Sequence, residues 1–350
     1  MSDNSYYSQE VHGPYELHDV GDLVLEEGGT LRACQLAYAT FGNLNTAKDN
    51  AILIPTWYSG TNKIMEQVYT GQGRALDPDK YFIIIINQIG SGLSSSPHNT
   101  PAPGGMGNFP PVRIGDDVRA QHKLLTEKFG IESLALVIGG SMGAQQTYEW
   151  AVRYPDMVKR IAAIAGTAKN SDHDFLFTDT LADAITSDPG FNGGFYRCPS
   201  DVREGLLRHA KLFAVMGWST EFYQQGRPRA LGFSSIDDFI MNFMNGYFSV
   251  MDPNNLLCMA RKWQHGDVSR MTGGNLKEAL GRITAQAFVM PIDEDMFFPP
   301  QDCEAEQKMI PNSQFRVLHS IDGHLALFGA DPEFLDQLDK NLGELLAIEV

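Results

Sequence analysis

The chain has 350 residues, with 43 acidic and 27 basic side chains and a net charge of −16 at neutral pH. That length supports one large α/β domain, or one domain with a sizeable insertion, and the charge argues against nucleic acid or an anionic membrane surface as a partner. No stretch stays apolar long enough to cross a bilayer, the opening MSDNSYYSQE lacks the order of a secretory signal, and the four cysteines (Cys34, Cys198, Cys258, Cys303) show no C-x-x-C spacing, which fits a reducing cytoplasm and no metal site.

Residues 21–42 read as a β-hairpin. Leu23 to Glu26 is one arm, Glu27-Gly28-Gly29-Thr30 the turn and Leu31 to Phe41 the other. Ala51 to Pro55 and Tyr81 to Asn87 are short apolar runs without alternation, which suit parallel strands buried on both faces. A helix is predicted over Gly115 to Phe129, with Val118, Leu125 and Phe129 on one side. An apolar run, Leu134 to Ile138, precedes a helical stretch that reaches Tyr154 and stops at Pro155; Val158 to Ala165 reads as the next strand. Strands separated by helical segments imply a doubly wound, mostly parallel sheet.

From Lys169 to Arg282 the chain is richer in aromatic residues and methionine, and helical spacings cover Asp201 to Met216, Ser235 to Val250 and Asn254 to Gln264. Strand character returns at Ile283 to Ile292 and Gln314 to His319. The last helix is capped by Asp331, with Pro332 at its first position and Leu335, Leu338, Leu342 and Leu345-Leu346 as its apolar face. This pattern divides the chain into a sheet core, residues 1–168 and 283–350, and a helical lid insertion, residues 169–282. Such an insertion lies over the C-terminal edge of the sheet, where ligands bind in open α/β folds. Gly90-Ser91-Gly92 lacks a helix directly after it and reads as a turn; Pro101 to Pro111 reads as an irregular connector.

The most informative stretch is Leu134 to Tyr154, LALVIGGSMGAQQTYEWAVRY. Strand, Gly139-Gly140-Ser141-Met142-Gly143 and helix together form the context of a nucleophile elbow. A serine on so sharp a turn exposes its hydroxyl above the sheet, and Gly139 and Gly143 let strand and helix pack closely. The Met142 amide, at the helix start, can donate to a developing oxyanion. A serine hydroxyl is a weak nucleophile and needs a base that is itself oriented by an acid. In the α/β-hydrolase order of serine, acid, histidine, the strand ending at Ile292 runs into Asp293-Glu294-Asp295, and spacing leaves the choice among these three open. The next strand runs into Asp322-Gly323-His324. His324 is favoured as the base, with His319 at the strand end as its rival. A second oxyanion donor belongs to the loop Thr56-Trp57-Tyr58-Ser59-Gly60-Thr61, at the amide of Tyr58. Its aromatics either wall an acyl pocket or pack as ordinary core.

These residues together resemble the homoserine O-acetyltransferase family of α/β-hydrolases. The likeness runs through NQIGSGLSSSP (Asn87 to Pro97), NFPPVRIGDDVRAQHKLL (Asn108 to Leu125), VIGGSMGAQQTYEWAVRYPD (Val137 to Asp156), DEDMFFPP (Asp293 to Pro300) and DGHLALF (Asp322 to Phe328). The resemblance implies an α/β-hydrolase fold. It identifies Asp295, which opens a D-x-x-F-P motif, as the catalytic acid and His324 as the base. It also implies a homodimer with contacts through the insertion. The departures bear on substrate. The family has an aspartate directly after the histidine, near the amino group of homoserine; here that position is Leu325, and an apolar side chain cannot balance an ammonium. The family's H-x-L-T-G loop is replaced by Thr56-Trp57-Tyr58-Ser59-Gly60, and its Gly-Met-Gln after the elbow by Ala144-Gln145-Gln146. In these features the chain is similar to family members that hydrolyse short-chain esters. The expectation is therefore a cofactor-independent serine esterase using Ser141, His324 and Asp295, with Met142 and Tyr58 as oxyanion donors and Trp57 and Leu325 in the pocket. An acetyl-CoA-dependent O-acetyltransferase is the alternative.

Overall fold

The computed structural model describes residues 4–350. Eight strands form one sheet in the order β1-β2-β4-β3-β5-β6-β7-β8. They are β1 (Glu16–Val24), β2 (Thr30–Phe41), β3 (Ala51–Pro55), β4 (Phe82–Ile86), β5 (Leu136–Gly140), β6 (Arg160–Ile164), β7 (Gln286–Met290) and β8 (Ser313–Phe315). β1 pairs antiparallel with β2, and β2 with β4. Every pairing from β4 across to β8 is parallel.

The apolar runs sit in the middle of the sheet because they are buried on both sides. Successive side chains of a strand point to opposite faces. Leu53, Ile84, Ile86, Val137 and Ala163 accordingly join one core, while Ile52, Ile54, Ile83, Ile85, Leu136 and Ile138 join the other. The hairpin reads correctly from the sequence, but its first arm extends back to Glu16. That segment is a solvent-facing edge with a register irregularity at Gly21, so it lacks the apolar alternation that marks a strand.

The helices used below are α1 (Asn62–Tyr69), α2 (Ile114–Leu124), α3 (Met142–Arg153), α4 (Asp172–Thr186), α5 (Arg203–Gly217), α6 (Pro253–Gln264), α7 (Pro300–Gln307) and α8 (Pro332–Leu346). The stretch expected to be helical to Phe129 does continue past α2, but as a π-helical turn that Gly130 ends at φ +63°. The helix expected over Ser235 to Val250 is helical from Ile236 to Phe248, with a π-turn at Ile240–Met244. Strand β8 is shorter than expected, although Arg316 and Leu318 still donate to Val289 and Pro291 of the neighbouring segment. Asp331 caps α8 as expected, accepting from Glu333 and Phe334. Of these helices, the sequence does not predict α1, α4 or α7. The capping box of α4, Ser171 with Asp174, is legible in the sequence.

β6 and β7 are neighbours, yet about a third of the chain lies between them, carrying α4, α5 and α6. Phe213 of α5 and Trp263 of α6 close over the C-terminal ends of the parallel strands, against residues of the sheet loops.

Candidate active site

Strand β5 delivers Ser141 onto a turn that most residues avoid. Its φ and ψ are 55° and −125°, a conformation that costs about 1–3 kcal/mol and persists only where surrounding bonds enforce it. Here the Ser141 amide donates to Ile164 of β6 (2.9 Å), and its carbonyl accepts from Ala144 (2.9 Å). Gly139 and Gly143 make the turn possible. A Cβ on Gly139 would collide with the backbone of Gly143, and one on Gly143 would sit 2.8 Å from the Pro55 carbonyl oxygen.

The loops after β7 and β8 bring the other two groups to the serine. His324 Nε2 lies 2.9 Å from Ser141 Oγ, and its Nδ1 lies 2.7 Å from Asp295 Oδ2. Asp295 is held in turn, because its Oδ1 accepts from the amides of Phe297 (2.7 Å) and Phe298 (3.0 Å). These donors stabilise the ionised carboxylate. The rings of Phe297 and Phe298 flank the imidazole, with centroids 4.7 and 5.7 Å away. All three side chains are buried: Ser141 is 4% exposed, Asp295 4% and His324 5%.

Spacing left three acids open, and the structure separates them. Asp295 faces His324, whereas Asp293 is the partner of His319 Nδ1 (2.8 Å), the rival histidine, at an exposed position away from Ser141. Met142 is the first residue of α3, so its amide has no acceptor within the helix. The Tyr58 amide also has no partner among the described residues.

Trp57, Tyr58, Ser59, Phe213, Trp263, Leu325, Leu327 and Phe328 line one cavity with Ser141 and His324. It is small, leaving about 20 Å³ for the centre of a water molecule, a volume that suits one or two waters. Both expected pocket residues, Trp57 and Leu325, are there. Leu325 is 2% exposed and packs toward Gly217 at the end of α5. Phe213, Trp263, Leu327 and Phe328 were missed. The first two come from the insertion, and no spacing rule links them to the elbow.

The Tyr58 side chain reaches to the insertion. Its hydroxyl meets His209 Nε2 of α5 (2.9 Å) and the Leu256 carbonyl of α6 (3.1 Å). Burial pushes the phenol well above its ordinary value and pushes His209 down to about 3. Further burial effects lie behind the triad: Asp174 is pushed up to about 6 and Glu306 to about 8, both chiefly by desolvation. Among the described residues no group of three His, Cys, Asp or Glu side chains is arranged to hold a metal ion, and no helix is long and apolar enough to cross a membrane.

Comparison with known proteins shows the family. The family model for the alpha/beta hydrolase fold matches residues 52–331. The chain is 65% identical over 344 residues to an ethyl acetate hydrolase of Pseudomonas veronii, a match spanning 98% of this chain and 99% of that protein. It superposes with a TM-score of 0.98 on a monoclinic structure of the acetyl esterase MekB, at 65% identity, covering 99% of this chain and 100% of that one. A homoserine O-acetyltransferase of Trichormus variabilis is more distant, at 33% identity over 336 residues, 93% of this chain and 92% of that protein.

Proposed function

This chain belongs to the alpha/beta hydrolase family and is a carboxylic ester hydrolase, and from that premise we propose that it cleaves short-chain, acetate-type esters through an acyl-enzyme on Ser141. One observation carries the reading: the unbroken hydrogen-bonded line from Ser141 Oγ through both nitrogens of His324 to Asp295.

Ser141 Oγ attacks the ester carbonyl while His324 Nε2 takes its proton. Asp295 holds the Nδ1–H tautomer and stabilises the imidazolium that forms. The amides of Met142 and Tyr58 donate to the tetrahedral oxyanion. The alcohol leaves with the proton from His324. Water then attacks the acetyl–serine ester, again through His324, and releases acetate. The tight apolar cavity supports a small acyl group, and Leu325 offers no partner for the ammonium of an amino-acid acceptor. Burial of the reacting groups under Phe213 and Trp263 supports a lid role for residues 169–282. A homodimer formed through that segment, on which Phe175, Leu176, Val215, Ile236 and Met241 are exposed, is part of the proposal. The free thiols support a cytoplasmic setting.

A chain-length series tests the substrate class. Turnover of p-nitrophenyl acetate should exceed that of the butyrate and hexanoate esters, and Ser141→Ala should abolish all of it while the fold persists. Equal rates along the series would reject the acyl-size argument, and an active Ser141→Ala variant would reject the nucleophile. Acetyl-CoA with homoserine should give no O-acetylhomoserine; its appearance would favour the transferase.

A further inference from the structure

We propose that the insertion holds the oxyanion loop in place, and that His209 and Gln88 are positioning residues for the Tyr58 amide; this rests on the acyl-enzyme reading above. The loop Thr56–Ser59 is gripped on both sides. On one side, the Tyr58 hydroxyl contacts both His209 Nε2 and the Leu256 carbonyl. A phenol has one proton to give. If it goes to Leu256, His209 must carry its proton on Nε2 and donate to the phenol oxygen. That arrangement satisfies every atom except His209 Nδ1, which has no partner and is then a bare lone pair. The alternative strands a buried N–H, which is costlier. The Tyr58 ring also stacks on His209 and Phe213, with centroids 5.9 and 5.4 Å away. Nearby, the Tyr247 hydroxyl, also from the insertion, donates to the Ser59 carbonyl (3.2 Å).

On the other side, Lys262 of α6 is wholly buried. It donates to Asp117 (2.5 Å), to the Ile89 carbonyl (2.6 Å) and to Gln88 Oε1 (3.2 Å), which uses all its protons. Gln88 passes the constraint on, since its side-chain amide donates to the Thr56 carbonyl and its backbone amide to Thr56 Oγ1 (3.2 Å). The Trp57–Tyr58 peptide, whose N–H is the proposed oxyanion donor, therefore lies between two constraints anchored in the insertion. Misplacing such a donor weakens only what is bound more tightly in the transition state.

The test uses the full chain with His209→Leu, His209→Gln and Gln88→Met, the last leaving the Lys262–Asp117 pair in place. His209→Leu and Gln88→Met should each lower kcat on p-nitrophenyl acetate about tenfold with KM within about twofold, a partial version of losing one oxyanion donor. Inhibition by a methyl trifluoromethyl ketone, whose adduct carries the oxyanion, should weaken by the same factor. His209→Gln, which can still present an N–H to the phenol, should recover most of both. Folded variants with unchanged kcat and unchanged inhibition would overturn the proposal, as would a rise in KM alone. If His209→Leu does not fold, the Gln88→Met and His209→Gln results decide it. The nucleophile reading fails separately, through an active Ser141→Ala.

Discussion

Replacing Asp295 by Asn isolates what the acid contributes, because the structure dictates how the new amide must sit. Asp295 Oδ1 already accepts from the amides of Phe297 and Phe298 at 2.7 and 3.0 Å. Only the oxygen of an Asn side chain can take that place. Its NH2 group then occupies the position of Oδ2, 2.7 Å from His324 Nδ1. A donor there requires Nδ1 to be the bare nitrogen, so the ring proton moves to Nε2. That nitrogen lies 2.9 Å from Ser141 Oγ and, once protonated, cannot accept from it. The opposite tautomer would set two N–H groups against each other in a buried site. Asp295→Asn should therefore cut kcat by about 10⁴, the scale of a triad held in the wrong tautomer, or about 5.4 kcal/mol at 1.36 kcal/mol per decade. KM should change little, since the carboxylate does not line the cavity. Steady-state hydrolysis of p-nitrophenyl acetate at pH 8 measures the loss, and circular dichroism with a thermal melt checks the fold. A folded variant that loses less than tenfold would show that His324 does not depend on Asp295 for its tautomer.

Other consequences are equally direct. Lys262→Met should destabilise the fold by about 3–5 kcal/mol in urea unfolding, because it leaves Asp117 buried and uncompensated; a change under about 1 kcal/mol would mean that water or repacking relieves the charge. Stability should fall from pH 6.5 to pH 9. Burial pushes Glu149 up to about 7 and Glu306 to about 8, so the folded state holds protons that the unfolded chain, with its carboxyls near 4.5, has released. Their contribution is complete below the unfolded value and is lost as pH rises through the folded one. A higher urea midpoint at pH 9 than at pH 6.5 would contradict this. Leu325→Asp should lower esterase activity, since it puts an unpartnered carboxylate into an apolar cavity, and should not create transfer from acetyl-CoA to homoserine. Detection of O-acetylhomoserine by mass spectrometry would show that this one position separates the two chemistries.

Local patterns made much of this molecule legible. Double-sided burial explains why β3 and β4 read as unalternating apolar runs, and the strand–elbow–helix order pointed to Ser141. Where the signal is tertiary, reading failed or stayed open. Asp293, Glu294 and Asp295 are equivalent as text. What distinguishes Asp295 in space is a tight turn that gives it two backbone donors and aims its other oxygen at His324. Helix α4 carried a readable start in its Ser171–Asp174 box, but its Phe and Leu residues fall on both buried and exposed sides, which blurs the periodicity. The edge segment Glu16–Asp19 pairs with β2 along the ladder and is largely exposed, so it lacks the apolar alternation that marks a strand.

Several residues invisible to pattern lie at the seam between insertion and sheet. His209 and Lys262 are polar groups wholly buried there and Tyr247 is half-buried, at a cost in desolvation that a specific partner on the facing element offsets. Apolar packing alone could hold the insertion down more cheaply, but it tolerates sliding. Directional bonds to Tyr58, Ser59 and Gln88 do not. A reaction that needs a backbone amide fixed to within a fraction of an ångström gains from such bonds, while one that needs only a closed cavity does not. On the proposed acyl-enzyme reading, that contrast is the rationale for polar rather than apolar contacts at the seam.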